Sequence, residues 1–163
     1  SLFCLRNNEK VATNIMQVDN ILSKLPNNTI SLLMENKFDV KRPDSFEGKN
    51  YVEHNLPVLI FHEGKYYCRF DSHNISAQTE MHKNALDEFR KIANDESLYE
   101  TYNLSQGDCI IFNNQRVLHS RKAFTPKFDG KDRWLLRVFG LHSKPAAEYL
   151  KDVEDNHHLK INN

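Results

Sequence analysis

Apolar residues fall in short runs along this chain, and their spacing sorts most of it into strands and helices. Leu2 to Leu5 and Val11 to Met16 are strand-length segments separated by Asn7-Asn8-Glu9-Lys10, a pattern that predicts a β-hairpin. Asp19 to Leu25 and Asn28 to Asn36 read as two short helices divided by Pro26. Lys37 to Leu56 is polar, carries Pro43 and Gly48 and has little periodicity, so it reads as a long loop. Pro57 to Phe61 and Tyr66 to Phe70 flank His62-Glu63-Gly64-Lys65 and predict a second hairpin. From Ser76 to Asn94, the positions Met81, Ala85, Phe89 and Ile92 recur at helical spacing among charged residues, with Ser76 or Thr79 as the cap. Cys109 to Phe112 reads as a short buried strand, and Arg133 to Phe139 as another. A last helix is expected around Ala146 to Val153, in a polar tail whose His157-His158 pair reads as solvated.

Composition narrows the setting. The length of 163 residues suits one domain with one core. Lys and Arg number 22 against 22 Asp and Glu, which gives no support for a nucleic-acid or anionic-membrane partner. The longest apolar runs are strand-length, so no transmembrane helix or signal core is visible. Cys4, Cys68 and Cys109 are widely spaced and odd in number, which fits reduced, buried thiols in a cytoplasmic protein.

Candidate chemistry concentrates between Leu104 and Leu141. Val117-Leu118 leads into His119, and fourteen residues on begins the segment Arg133-Trp134-Leu135-Leu136-Arg137. Alternate residues of a strand share a face, so Arg133, Leu135 and Arg137 point to one side. Two guanidinium groups on an interior face are costly without carboxylate partners, which implies an anionic ligand.

The same stretch, GDCIIFNNQRVLHSRKAFTPKFDGKDRWLLR, resembles the C-terminal signature of the clavaminate synthase-like branch of the Fe(II)/2-oxoglutarate-dependent oxygenases, which includes asparagine, arginine and lysine hydroxylases. Gly107, Asp108, Asn114, His119, Arg121, Phe124, Asp129, Gly130, Asp132, Arg133, Trp134, Leu135 and Arg137 occur in that family's order. Asn113 and Ser120 depart from it, standing where the family usually has Asp and Gly. The resemblance implies a mainly β fold with flanking helices (α+β), a double-stranded β-helix or jelly roll. It also implies Fe(II) as cofactor, 2-oxoglutarate as cosubstrate and O2 as the oxidant.

Site residues follow from the same resemblance. His119 matches the distal iron-binding histidine, and Arg133 the arginine that grips the far carboxylate of 2-oxoglutarate, a task that suits a bidentate strand-borne guanidinium. Arg137 is a candidate for either a cosubstrate oxygen or a substrate carboxylate. Thr13 lies in a CLR-turn-AT segment whose threonine contacts 2-oxoglutarate in the family; a β-branched strand residue with no role is the competing reading. Asp71 follows the second hairpin, where related hydroxylases hold the substrate, although a turn aspartate bonding its own backbone is the commoner explanation.

No histidine has an acidic residue two places on, and Ser1 to Arg6 opens in mid-strand. The expectation is one domain over residues 1–163 that forms the C-terminal part of a longer oxygenase, with a His-x-Asp/Glu motif before Ser1. The isolated 163 residues would then be poorly stable and inactive. The implied reaction is hydroxylation of an unactivated C–H of a free L-amino acid, lysine or arginine first and asparagine next, with succinate and CO2 as coproducts. A related oxygenase acting on a sulfonate or betaine, and a metal-free β-helix binding module, remain open alternatives.

Overall fold

The computed structural model describes residues 1–41 and 51–141. In chain order the elements are β1 (Leu2–Arg6), β2 (Thr13–Gln17), α1 (Val18–Leu22), α2 (Asn27–Leu33), β3 (Phe38–Lys41), β4 (Val52–Leu56), β5 (Leu59–His62), β6 (Lys65–Cys68) and β7 (Ile75–Ala77). They continue with α3 (Glu80–Ala93), a 3-10 turn at Glu96–Leu98, β8 (Glu100–Tyr102), β9 (Cys109–Ile110), β10 (Val117–Arg121) and β11 (Trp134–Arg137). The strands form three three-stranded sheets, ordered β11-β1-β9, β10-β2-β8 and β4-β3-β7, and the β5-β6 hairpin. Every pairing is antiparallel. The architecture is mainly β with flanking helices.

One core joins the helices to the sheets. Phe38, Phe89, Met16, Ile21, Leu33, Leu59 and Leu86 are fully buried in it. Of the helical positions read from the sequence, Ala85 and Phe89 are buried on the inner face of α3 beside Leu86 and Ala93, Ile92 is partly buried against the core and Met81 is exposed; Phe89 meets Phe70 with ring centroids 4.9 Å apart. Removing a ring of this size from such a core costs about 3–5 kcal/mol. The helix begins at Glu80 because Thr79 turns extended and its side chain accepts from the His82 backbone N–H. Ser76 lies in β7 instead, so the helix is shorter than its periodicity predicted.

Several other expectations need correction. Residues 1–16 do not form a hairpin: β1 pairs with β11 and β9, while β2 pairs with β10 and β8. The turn after Arg6 therefore moves the chain between sheets, although its Asn7 side chain still fastens it by accepting from Val11 N–H at 2.9 Å. The stretch from Lys37 to Leu56 is not all loop, since β3 and β4 lie at its two ends. Phe38 is fully buried there, yet a four-residue strand with Asp39 inside it gives almost no apolar signal. Residues 109–112 do not form a buried strand, for only Cys109–Ile110 joins the ladder, on one side of β1, and Cys109 and Ile111 are exposed. The segment at 133–139 is regular only over Trp134–Arg137. The second hairpin stands as read, with positive φ at both Glu63 and Gly64, the geometry that tight hairpin turns favour. The expected tail helix and the His157-His158 pair lie outside the described residues. No helix among the described residues is long and apolar enough to cross a membrane.

Candidate active site

The β2-β10 ladder sets the geometry. Its register pairs His119 with Ile15 and Arg121 with Thr13, while Leu118 meets Met16 and Ser120 meets Asn14. Met16 and Leu118 belong to the core, so the alternation of the pleat turns Thr13, Ile15, His119 and Arg121 toward the opposite face. On the neighbouring sheet Cys4 pairs with Leu135 and Leu2 with Arg137, which puts Arg137 on the face of the buried residues Leu2 and Cys4.

Arg133 joins the two sheets. Its Nη2 donates to Thr13 Oγ1 at 2.7 Å, and Thr13 is only 2 % exposed. The loop before it is tied by Asp132, whose carboxylate accepts from the backbone N–H groups of Lys127 and Phe128 at 2.8–3.1 Å, while Arg6 Nε donates to the Asp132 carbonyl at 2.9 Å. The Asp-Gly turn and the Asp132-Arg133 pair of the motif thus have a mechanical reason. They end the connection so that Arg133 reaches across to β2.

The electrostatics are those of an anion seat. Arg133 Nε is buried with no hydrogen-bond partner, and no carboxylate pairs with the guanidinium among the described residues. Burial, then the positive charge of Arg121, push Arg133 below the usual arginine range, with a smaller opposing effect from Cys4. A half-buried guanidinium whose Nε is buried and unpaired calls for an external acceptor. A small carboxylate would meet that need. His119 is half-buried and touches the Phe112 ring at 5.3 Å, and it makes no hydrogen bond among the described residues. Burial first, then the charges of Arg137 and the amino terminus, lower its pKa, which favours the neutral ring that ligates metals. No group of three His, Cys, Asp or Glu able to hold a metal exists among the described residues, so His119 stands here as a single donor.

The structure therefore brings Thr13 and Arg133 into contact, with His119 on the same sheet face as Thr13. Asp71 sits apart in sequence, in a turn where it accepts from Asn74 Nδ2 at 2.9 Å and from His73 N–H at 3.0 Å. Its segment is tied to that of His119 by the bond from Cys68 N–H to the Gln115 carbonyl, 2.7 Å, just upstream of both. The two motif departures are accommodated. Asn113 still caps its turn by accepting from Gln115 N–H at 3.1 Å, and Ser120 is exposed on the ladder face away from His119. Sequence reasoning gave no role to Arg121, although its place two residues after His119 put it on the same strand face.

A β-sheet face carrying a histidine and a threonine-braced arginine defines a small-anion site with one prospective metal ligand. The chain belongs to the taurine catabolism dioxygenase TauD, TfdA family, whose model matches residues 12–139. It is 32% identical over 124 residues to the L-asparagine oxygenase of Streptomyces coelicolor, covering 76% of this chain and 37% of that protein. It is 26% identical over 149 residues to the L-lysine 3-hydroxylase of Catenulispora acidiphila, covering 85% and 40%. Among solved structures it resembles asparagine oxygenase in complex with Fe(II), 3-hydroxyasparagine and succinate, with TM-score 0.73, 31% identity, and 82% of this chain and 42% of that one covered. It also resembles the non-heme iron oxygenase OrfP in complex with Fe and alpha-ketoglutaric acid, with TM-score 0.78, 26% identity, and 98% and 49% covered. The chain spans less than half the length of these relatives.

Proposed function

We propose that this chain is the cosubstrate-binding half of an Fe(II)/2-oxoglutarate-dependent amino-acid hydroxylase built as a double-stranded β-helix. The observation that carries the reading is the Arg133–Thr13 pair, in which a guanidinium with a buried, unpartnered Nε reaches a threonine that shares a sheet face with His119. Arg133 would hold the far carboxylate of 2-oxoglutarate by paired N–H donors, and Thr13 would fix the plane of that guanidinium. His119 would give one neutral imidazole to Fe(II). The remaining two ligands, a His-x-Asp/Glu pair, would come from a segment of the full-length protein before Ser1. When bound, Fe(II) and 2-oxoglutarate would supply the oxidising power, O2 being consumed as 2-oxoglutarate becomes succinate and CO2 and a C–H becomes C–OH. The protein's own residues hold the dicarboxylate, orient the substrate and limit water.

Arg137, at the end of β11 opposite Leu2 and exposed here, would receive the substrate's α-carboxylate or a cosubstrate oxygen. Asp71 uses part of its accepting capacity within its own turn, and a carboxylate keeps further lone pairs for an ammonium or guanidinium. That, with relatives named as lysine and ornithine/arginine hydroxylases, supports a basic amino acid as the first substrate to try and asparagine as the next. The test is succinate release by the full-length protein with Fe(II), 2-oxoglutarate and a panel of free amino acids. Turnover stimulated by one amino acid and lost in His119→Ala and Arg133→Ala is expected. Failure of every amino acid, together with turnover on a sulfonate or betaine, would replace the substrate class, and absence of Fe(II) binding would replace the enzyme by a binding module.

A further inference from the structure

A second arginine stands beside the anion seat with nothing to neutralise it. Arg121 is the β10 partner of Thr13, so their side chains leave neighbouring positions on one face of the ladder. Thr13 accepts from Arg133, so Arg121 leaves the ladder beside the threonine that Arg133 grips. The Arg121 guanidinium lies over the Phe124 ring, 4.9 Å from its centroid, which holds it against the sheet. Among the described residues it has neither a hydrogen bond nor a carboxylate partner.

Like charges on neighbouring positions repel, and an anion between them would relieve both. We propose that Arg121 is an electrostatic positioning residue for the far carboxylate of the dicarboxylic cosubstrate, acting across the strand pair on the group that Arg133 and Thr13 grip. This rests on the proposed cosubstrate role of Arg133. A single arginine would bind a carboxylate; the second raises affinity for the doubly charged ligand and pulls its far end toward the Thr13 side. The Phe124 ring gives the exposed Arg121 guanidinium a surface to rest on. Because Arg121 is exposed, its contribution is modest and sensitive to salt, whereas that of the half-buried Arg133 is larger.

The experiment is calorimetric titration of 2-oxoglutarate, and separately of succinate, into Mn(II)-loaded full-length protein without O2. It compares wild type, Arg121→Gln, Arg121→Lys and Arg133→Ala. Arg121→Gln is expected to weaken both dicarboxylates about three- to tenfold at about 0.01 M salt, with the difference shrinking toward unity at about 1 M. Arg121→Lys should restore most of the affinity because it restores the charge. In turnover the same Gln variant should raise KM for 2-oxoglutarate and leave kcat nearly unchanged. Wild-type affinity in Arg121→Gln, or a loss that salt does not diminish and lysine does not rescue, would overturn the assignment. Undiminished binding in Arg133→Ala would instead overturn the cosubstrate seat itself, so the two failures are separable.

Discussion

Two histidines in this protein occupy opposite kinds of surroundings. His82, 2 % exposed at the start of α3, is used completely: its Nε2 pairs with the Glu35 carboxylate at 3.0 Å, its Nδ1 with Thr79 Oγ1 at 2.7 Å, and its ring meets Phe38 edge-on at 5.6 Å. His119, half-buried on β10, has a ring contact and no hydrogen bond among the described residues. The contrast extends to their neighbourhoods. Among the described residues no buried side-chain polar atom near His82 lacks a partner, while the strand pair of His119 carries Thr13, bonded to an Arg133 with an orphaned Nε, and Arg121 with no counter-charge. Groups satisfied internally hold the structure together, and groups left open identify where a ligand belongs.

Exchanging these histidines one at a time is the sharpest way to break the contrast. His82→Ala removes two side-chain hydrogen bonds from a buried site, leaving Glu35 without its imidazole partner and Thr79 with only its cap bond, so a loss of about 2–3 kcal/mol is expected. His119→Ala removes no hydrogen bond and should change stability by less than about 0.5 kcal/mol while abolishing succinate formation. Thermal unfolding of the metal-free full-length protein reads the first effect and a turnover assay the second. A large unfolding penalty for His119→Ala would mean that its ring is structural and that the openness of the site was misjudged.

The helix cap gives a smaller version of the same test. Thr79 caps α3 and also meets His82 Nδ1, so Thr79→Ala should cost about 1 kcal/mol, and Thr79→Ser should recover most of it because the hydroxyl is kept. Neither change should alter KM for 2-oxoglutarate. A shifted KM would show that the two regions are coupled.

What the sequence disclosed divides along the same line. Helix α3 and the β5-β6 hairpin were legible because each is specified locally, one by 3.6-residue spacing and the other by Glu63-Gly64 between apolar runs. His119, Arg133 and Thr13 were legible only through a motif, since nothing in the residues themselves states that Arg133 reaches Thr13 across 120 positions. Strand partners were not legible at all. The β1 and β2 segments look like a hairpin but belong to different sheets, because long-range pairing with β11 and β10 decides where each goes. β3 was hidden because Asp39 interrupts its apolar pattern, and the structure shows why that is tolerated: its carboxylate accepts from Gln78 Nε2 at 2.7 Å and faces His54 Nδ1 at 3.1 Å. Cys109 was expected to be buried like Cys4 and Cys68, yet β9 pairs on one side only, which leaves its thiol exposed.

Asp71 lies between the two regions and carries the smallest of these effects. Burial works to raise its pKa, but hydrogen bonds from Asn74 and the His73 backbone outweigh it and hold the carboxyl below its ordinary 3.8. A carboxyl depressed in the folded state contributes stability that is present above the ordinary value and lost as pH falls through the folded one, because the unfolded chain binds more protons there. The melting-temperature advantage of wild type over Asp71→Asn should therefore be steady near about pH 6 and shrink as pH is lowered through about 4 and below. Measuring the difference between the two proteins cancels the parallel acid sensitivity of Asp39, Asp95 and Asp132, whose carboxyls are also depressed. A difference that does not change with pH would mean that the neutral amide serves the turn as well as the carboxylate does. The same variant then decides the second half of the question. If Asp71 also holds a basic substrate, Asp71→Asn raises KM for the amino acid and leaves KM for 2-oxoglutarate alone, whereas a turn aspartate with no further role leaves both unchanged.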